Sequence, residues 1–347
     1  MANEGKVIVT GGAGYIGSHT IAELLEHTGR EVVSIDNHIN SSSVTFERLR
    51  KITGRSTRNH RIDLCDQEAV RKVLQEEAPV AGIIHFAALK SVPESMAQPH
   101  RYYRNNLVSL LNLLECSAEA GIRSFIFSSS CSVYGNITQL PVGEETPLGL
   151  AESPYAYTKQ IGERMVDDHA RVHAEGAFIS LRYFNPVGAH RTGYIGEDPI
   201  NPPTSLVPII TRVASGRIPS LTVHGTDYGT RDGSCVRDYI HVSDIARAHV
   251  KALEYAMQGH PGHSVFNLGT GQGVSVLEAI ASFERATGNK LNYKLGPRRP
   301  GDVEAIYSDT TRSTKVLGWR AELGIDEMMR SAWQWEQELL KTEGGAA

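Results

Sequence analysis

Long apolar runs are missing from this sequence: no stretch approaches the roughly 18 consecutive apolar residues of a membrane-spanning helix. A basic-then-apolar leader is missing too, because Met-Ala-Asn-Glu-Gly-Lys leads straight into the strand-like residues 7–10. The four cysteines, Cys65, Cys116, Cys131 and Cys235, form no CxxC pair and no metal-ligand spacing, which excludes a disulfide scaffold and points to no metal. They read as reduced thiols of a cytoplasmic protein. Basic charge is not in excess: 35 Lys and Arg against 39 Asp and Glu leave a formal charge of −4, which argues against a nucleic-acid binder. A local pair of arginines can still hold a diphosphate. What remains is a soluble globular chain of 347 residues, 40% apolar and rich in tight turns with 33 glycines.

The first part of the chain alternates short apolar runs with helix-length segments. Strands are expected at 7–10, 32–36, 58–63, 82–86, 124–128 and 177–183, with helices such as 107–120 and 154–174 between them. This alternation predicts an α/β, Rossmann-type doubly wound parallel sheet. After residue 184 the texture changes to Gly, Pro, Asp and Thr, with helices near 206–215 and 242–257 and a strand at 264–268. We therefore expect a nucleotide-binding domain from 1–184 plus about 237–268. A smaller α+β substrate-binding domain would form from about 185–236 plus 269–340, followed by a disordered tail at 341–347.

Thr10-Gly-Gly-Ala-Gly-Tyr-Ile-Gly17 follows the first strand and opens a helix. Gly11, Gly14 and Gly17 let the backbone turn tightly and approach a pyrophosphate seated on the helix N-terminus. Asp36 ends the next strand, 19 residues past Gly17, where a carboxylate binds a ribose 2′-hydroxyl and repels a 2′-phosphate. The pattern predicts NAD rather than NADP. Asn37, Asn40 and Ser41 follow as polar neighbours of the adenosine ribose, and Asp63 and Phe86 end two further strands on the cofactor side.

Ser153-Pro-Tyr-Ala-Tyr-Thr-Lys159 places Tyr155 four residues before Lys159. Ser153 suits a helix N-cap and Pro154 a first turn, so Tyr155 and Lys159 share one helix face while Tyr157 points elsewhere. A tyrosine with a pKa near 10 needs about 4 kcal/mol of phenolate stabilisation to work at pH 7. A neighbouring ammonium and a cationic nicotinamide ring supply it. Ser130, with Ser129 as the alternative, ends the fifth strand and is placed to hydrogen-bond the same substrate hydroxyl.

These motifs resemble the extended short-chain dehydrogenase/reductase family and, within it, the UDP-hexose 4-epimerase branch. The likeness spans nearly the whole chain: Thr10 to His19, Phe86-Ala-Ala-Leu-Lys90, Tyr102-Tyr-Arg-Asn-Asn106, and Ser128 to Gly135. It continues through Arg182 to His190, Val236 to Val242, Asn267 to Gly271 and Arg298 to Asp302. The resemblance implies that Tyr155 removes the proton of a sugar 4-hydroxyl while C4 passes hydride to NAD. A 4-keto intermediate then turns over and is reduced on its other face, interconverting UDP-glucose and UDP-galactose. Lys159 would also hold the nicotinamide ribose, with Tyr15, Ile16, Leu64, Lys90, Asn105 and Tyr183 lining the cofactor site. Asn185, Arg237, Arg299 and Asp302 would hold the UDP part, with Lys90, Ser130 and Tyr155 at the sugar. A homodimer is implied through the helices near 107–120 and 155–174.

Three positions depart from the family pattern. Ser205, before Leu206, stands where an Asn usually contacts phosphate, and its shorter side chain reaches less far. His224 replaces a common aromatic near the uracil. By the resemblance, Ile306 lies at the position that screens the sugar C2 substituent; it is intermediate in size, which leaves use of UDP-GlcNAc and UDP-GalNAc open. The rival readings are another sugar-nucleotide epimerase, dehydratase or decarboxylase of this family, or a non-catalytic NAD-binding regulator. Dehydratases and decarboxylases need an acid just after the serine, and Cys131 and Ser132 are not acidic. The complete Tyr155, Lys159 and Ser130 set opposes the regulator.

Overall fold

Runs of Val, Ile and Phe that bury both faces of a strand need helices on both sides, and the chain supplies them alternately. The computed structural model describes residues 5–200, 202–299 and 302–344. Its strands are β1 (Lys6–Thr10), β2 (Val32–Ile35), β3 (Arg58–His60), β4 (Val80–His85), β5 (Ser124–Ser130), β6 (Ala177–Tyr183) and β7 (Asn185–Val187). They continue as β8 (Leu221–His224), β9 (Val236–Arg237), β10 (Tyr239–His241), β11 (Gly262–Leu268), β12 (Val274–Ser275), β13 (Tyr293–Gly296) and β14 (Ala305–Ile306). Helices are α1 (Tyr15–His27), α2 (Val44–Thr53), α3 (Gln67–Glu76), α4 (Val92–Ala97), α5 (Pro99–Tyr103) and α6 (Ser109–Glu119). Then come α7 (Pro154–Val172), α8 (Leu206–Ala214), α9 (Val242–Met257), α10 (Val276–Thr287), α11 (Thr311–Leu317) and α12 (Ile325–Gly344).

The main sheet has seven strands in the order β11-β6-β5-β4-β1-β2-β3, all parallel. This is the doubly wound order, and its direction reverses between β1 and β4. Alternate side chains go to opposite layers: Val7 and Val9 pack with Leu24, Leu49 and Ile245 of α1, α2 and α9. Ile8, between them, packs with Val70, Leu113 and Val166 of α3, α6 and α7. Past β6 the chain builds the smaller α+β layer around Ile210, Leu221, Phe283 and Met329. Its short strands pair β7 with β10, β8 with β13, and β9 between β12 and β14.

Local geometry revises several sequence expectations. The third strand ends at His60, because the chain turns at Asp63, whose carboxylate accepts from Cys65 N at 2.9 Å. The helix expected from 107 is preceded by α5 and by a π-helical turn, Arg104–Val108, before α6 begins. β11 starts two residues early at Gly262 because all seven of its residues pair with β6. Helix α12 continues to Gly344, so 341–344 are helical rather than a disordered tail, while 1–4 and 345–347 lie outside the described residues. Among the described residues no helix is long and apolar enough to cross a membrane.

Candidate active site

The turn from β1 to α1 sits at the point where the strand order reverses, with Thr10 in register with His85 of β4. Gly11 holds a φ of 69°, and a Cβ there would lie 2.8 Å from Ala87 N. A Cβ on Gly17 would lie 2.2 Å from Gly11 O, so only glycine lets the helix start fold this close to the turn. Gly14 caps α1 without a side-chain bond, and no acid occupies the first turn. The helix N-terminus therefore offers unpaired N–H groups and a positive dipole end. Asp36 closes this cradle: its carboxylate accepts from Ala13 N at 3.0 Å, His38 N at 2.9 Å and the Ser41 hydroxyl at 2.8 Å. Close backbone, free donors and an acid at the end of β2 fit a dinucleotide pyrophosphate and ribose.

Other residues expected at the cofactor lie around this turn in differing roles. Ile16 packs against the α1 side of the core, and the Tyr15 hydroxyl donates to Gly188 O at 2.6 Å, tying the nucleotide turn to the smaller layer. Asn37 accepts from Ile39 N at 3.0 Å, while Asn40 and Asp63 are exposed. The Phe86 ring lies 4.5 Å from that of His249. The Leu64 side chain is buried with Val70 and Leu113. Lys90 reaches across to Glu197 at 3.0 Å. Asn105 donates to Asn106 Oδ1 at 3.0 Å within the π-helical turn, a distortion that often marks functional sites.

The reacting groups come from β5, β6 and α7. Ser153 Oγ accepts from Ala156 N at 3.2 Å and Pro154 enters the first turn, which fixes where α7 starts. Tyr155 and Lys159 then share a face, the ammonium 6.0 Å from the phenol ring centre. Tyr157 is about half exposed and meets Tyr103 edge-on at 6.3 Å. Lys159 Nζ donates to Ser128 O at 2.7 Å. Burial pushes the Tyr155 phenol up to about 12, opposed by a hydrogen bond from Ser130. Burial lowers Lys159 to about 8, opposed by the charge of Glu163. Ser130 pairs in register with Tyr183, whose phenol burial also pushes upward. Ser129 is wholly buried and turns to Glu163, which leaves Ser130 as the serine beside Tyr155. Cys131 is pushed up to about 12 by burial and is a neutral thiol.

A third group lies on the smaller layer. Asn185 Oδ1 is buried without a hydrogen-bond partner, next to the end of β6. Arg237 ends β9 opposite Ile306 of β14 and stands 3.9 Å from Asp302, to which Arg299 donates at 2.8 Å. Two guanidinium groups thus share one carboxylate, leaving net positive charge for an anion. Arg237 thus lies one strand pairing from Ile306, whose cluster includes Cys131, the residue after Ser130. Ile306 is buried with Val133 and Phe184 and packs against Cys131. Ser205 is an exposed N-cap of α8 whose hydroxyl makes no cap bond, Leu206 packs partly into the smaller core, and His224 ends β8 in solvent.

Three supporting residues were not singled out in the sequence. Asn106 accepts from Leu89 N at 2.9 Å and donates to Leu89 O at 3.0 Å and Thr158 Oγ1 at 3.1 Å, tying the end of β4 to the tyrosine helix. Asp238 is fully buried and accepts from Thr270, Gly271 and Ser308, which fixes the backbone beside Arg237. Glu163 follows Lys159 by one helical turn, a spacing that could have flagged it.

A nucleotide cradle and a tyrosine–lysine–serine group at the carboxyl ends of the parallel strands, with a cationic pair on the smaller layer, define a nucleotide-sugar-processing dehydrogenase-type site. The chain belongs to the NAD dependent epimerase/dehydratase family, whose model matches residues 7–269. Among curated proteins it is 47% identical over 333 residues to UDP-glucose 4-epimerase 2 of Arabidopsis thaliana, covering 95% of this chain and 94% of that one. Among solved structures it resembles the UDP-glucose-4-epimerase of Stenotrophomonas maltophila with bound NAD and formylated UDP-arabinopyranose. That match has a TM-score of 0.94 and 41% identity, and covers 98% of this chain and 100% of that one. The UDP-glucose 4-epimerase of Bifidobacterium longum in complex with NAD+ and UDP matches with a TM-score of 0.91 and 44% identity, covering 96% and 98%.

Proposed function

We propose that the chain is an NAD-dependent UDP-hexose 4-epimerase that interconverts UDP-glucose and UDP-galactose. The observation that carries the reading is Tyr155 beside Ser130, with the Lys159 ammonium 6.0 Å from the phenol ring centre, at the carboxyl ends of the strands that also bear the glycine cradle. NAD, held by the Gly11–Gly17 turn and Asp36, would supply a reversible hydride acceptor for C4. Everything else falls to the chain. Ser130 holds the 4-hydroxyl while Tyr155 receives its proton and later gives one back. Lys159 stabilises the phenolate with its charge, a role suited to an ammonium buried close by. Arg237 and Arg299 bind the diphosphate, and the unpartnered Asn185 Oδ1 meets a donor of the nucleotide. The diphosphate anchor leaves the sugar ring free to turn, so that C4 presents its other face.

The test is conversion of UDP-galactose with NAD content measured on the denatured protein. Tyr155→Phe should lower turnover by about 10²–10⁴, the usual worth of a general base, with NAD still bound. A larger loss in Tyr157→Phe would refute the assignment. UDP-N-acetylhexosamines are a second substrate class to assay, because Ile306 is smaller than an aromatic at the position that screens the C2 substituent. The reading also expects a cytoplasmic homodimer. Val92, Met96, Leu111 and Tyr157, all exposed, give α4, α6 and α7 an apolar face suited to a second copy. Sedimentation at twice the 37.9 kDa chain mass is the expected result.

A further inference from the structure

Behind the reacting groups lies a buried ion pair that touches neither substrate nor cofactor in the mechanism, although the charge of its carboxylate helps keep Lys159 protonated. Glu163 and Arg182 are both about 5% exposed. Arg182 donates twice to the Glu163 carboxylate, at 2.8 and 2.6 Å, and once to the Tyr134 hydroxyl at 3.0 Å. Tyr134 in turn donates to Asn267 Oδ1 at 2.7 Å. One further donor reaches Glu163: the hydroxyl of Ser129, which is wholly buried.

Stability alone is a weak reason to bury such a pair, since apolar residues of similar volume often serve as well. The position of Ser129 gives a better one. Its neighbour Ser128 offers the carbonyl that receives Lys159 Nζ at 2.7 Å, and its other neighbour is Ser130, beside Tyr155. Side chains alternate along a strand, so a tether on Ser129 fixes the opposite-facing Ser130. Glu163 also sits one turn beyond Lys159 on the same helix. We propose that Glu163 is a positioning residue: held by Arg182, it grips Ser129 and so sets the end of β5 on which both Ser130 and Lys159 depend.

This rests on the epimerase reading, so wild-type turnover of UDP-galactose comes first, and its absence would sink that reading instead. Ser129→Ala removes only the buried hydroxyl. It should lower kcat at least about tenfold, the rate equivalent of one hydrogen bond, with KM and NAD content unchanged. The double variant Glu163→Leu with Arg182→Met replaces the ion pair by apolar volume and should regain wild-type melting while keeping the low kcat. A merely structural pair predicts the reverse, with kcat per NAD-loaded chain restored. Wild-type kcat in either folded variant overturns the proposal, and Ser129→Ala decides it alone if the double variant does not fold.

Discussion

Replacing Lys159 with methionine removes one charge and keeps most of the side-chain volume. The ammonium stands 6.0 Å from the centre of the Tyr155 ring. At an effective dielectric near 20, a unit charge at that distance is worth about 2.8 kcal/mol to the phenolate, or about two pKa units. Burial already pushes the phenol up to about 12, so phenolate formation depends on every nearby cation. Loss of this one should lower kcat at pH 7 about 100-fold and move the rising limb of the pH profile up by about two units. A second signature follows from Lys159 itself. Its pKa is lowered to about 8, so wild-type kcat should lose this charge, and fall, as pH rises through that region. The methionine variant has no such charge to lose, and its rate should keep climbing with pH. The assay is kcat for UDP-galactose from pH 6 to 10 at saturating substrate, corrected for bound NAD. A profile parallel to wild type, merely lowered by a constant factor, would refute the electrostatic role and leave Lys159 as a cofactor-holding group.

Arg237→Met should raise KM for UDP-galactose about tenfold to 100-fold, the worth of a charge-assisted hydrogen bond, with NAD content intact; an unchanged KM would remove Arg237 from the diphosphate site. Acid stability follows from four buried histidines. His19 and His85 are held near about 3, and His241 and His249 near about 4, each chiefly by burial. These folded-state values lie below the unfolded value near 6.5, so their stabilisation is complete above that pH and is lost as pH falls below it. Each costs about 1.4 kcal/mol at pH 5.5, so urea unfolding there should show a loss of about 5 kcal/mol relative to pH 7.5. A flat profile would show that these side chains are solvated.

Much of the fold was legible because its elements are locally encoded. The glycine turn, the alternating strands and the Ser153–Pro154 helix start each depend on a few neighbouring residues, and the structure contains the parallel sheet they imply. The same holds for the split between Tyr155 and Tyr157, which is only a matter of helical angle. Side-chain direction at strand ends was less legible. From sequence, only the expected exposure at the strand end favours Ser130 over Ser129; the structure separates them because Glu163 and Arg182, 34 and 53 residues further on, occupy one side of the strand. The burial of the Leu64 side chain was likewise not legible, because it follows from the packing of α3 and α6 and not from its neighbours in sequence.

The residues that escaped sequence reading share one property. Asn106, Glu163 and Asp238 are polar, almost fully buried, and each joins segments far apart in the chain. A polar residue on an otherwise apolar face carries no periodic signal, and its partners are fixed only once the fold closes. Yet such groups are affordable only when every bond is made, because an unpaired buried carboxylate or amide costs more than its pairing returns. Asp238 meets that condition with the backbone N–H groups of Thr270, Gly271 and Ser308 and the hydroxyls of Thr270 and Ser308. Asn185 Oδ1 does not, and it lies at the start of β7, the strand hydrogen-bonded to the one that follows Arg237. Several other buried side-chain atoms, Ser34 Oγ and Thr57 Oγ1 among them, also lack a partner, so it is the place of Asn185 beside β10, and not the open acceptor alone, that supports its proposed contact with the nucleotide.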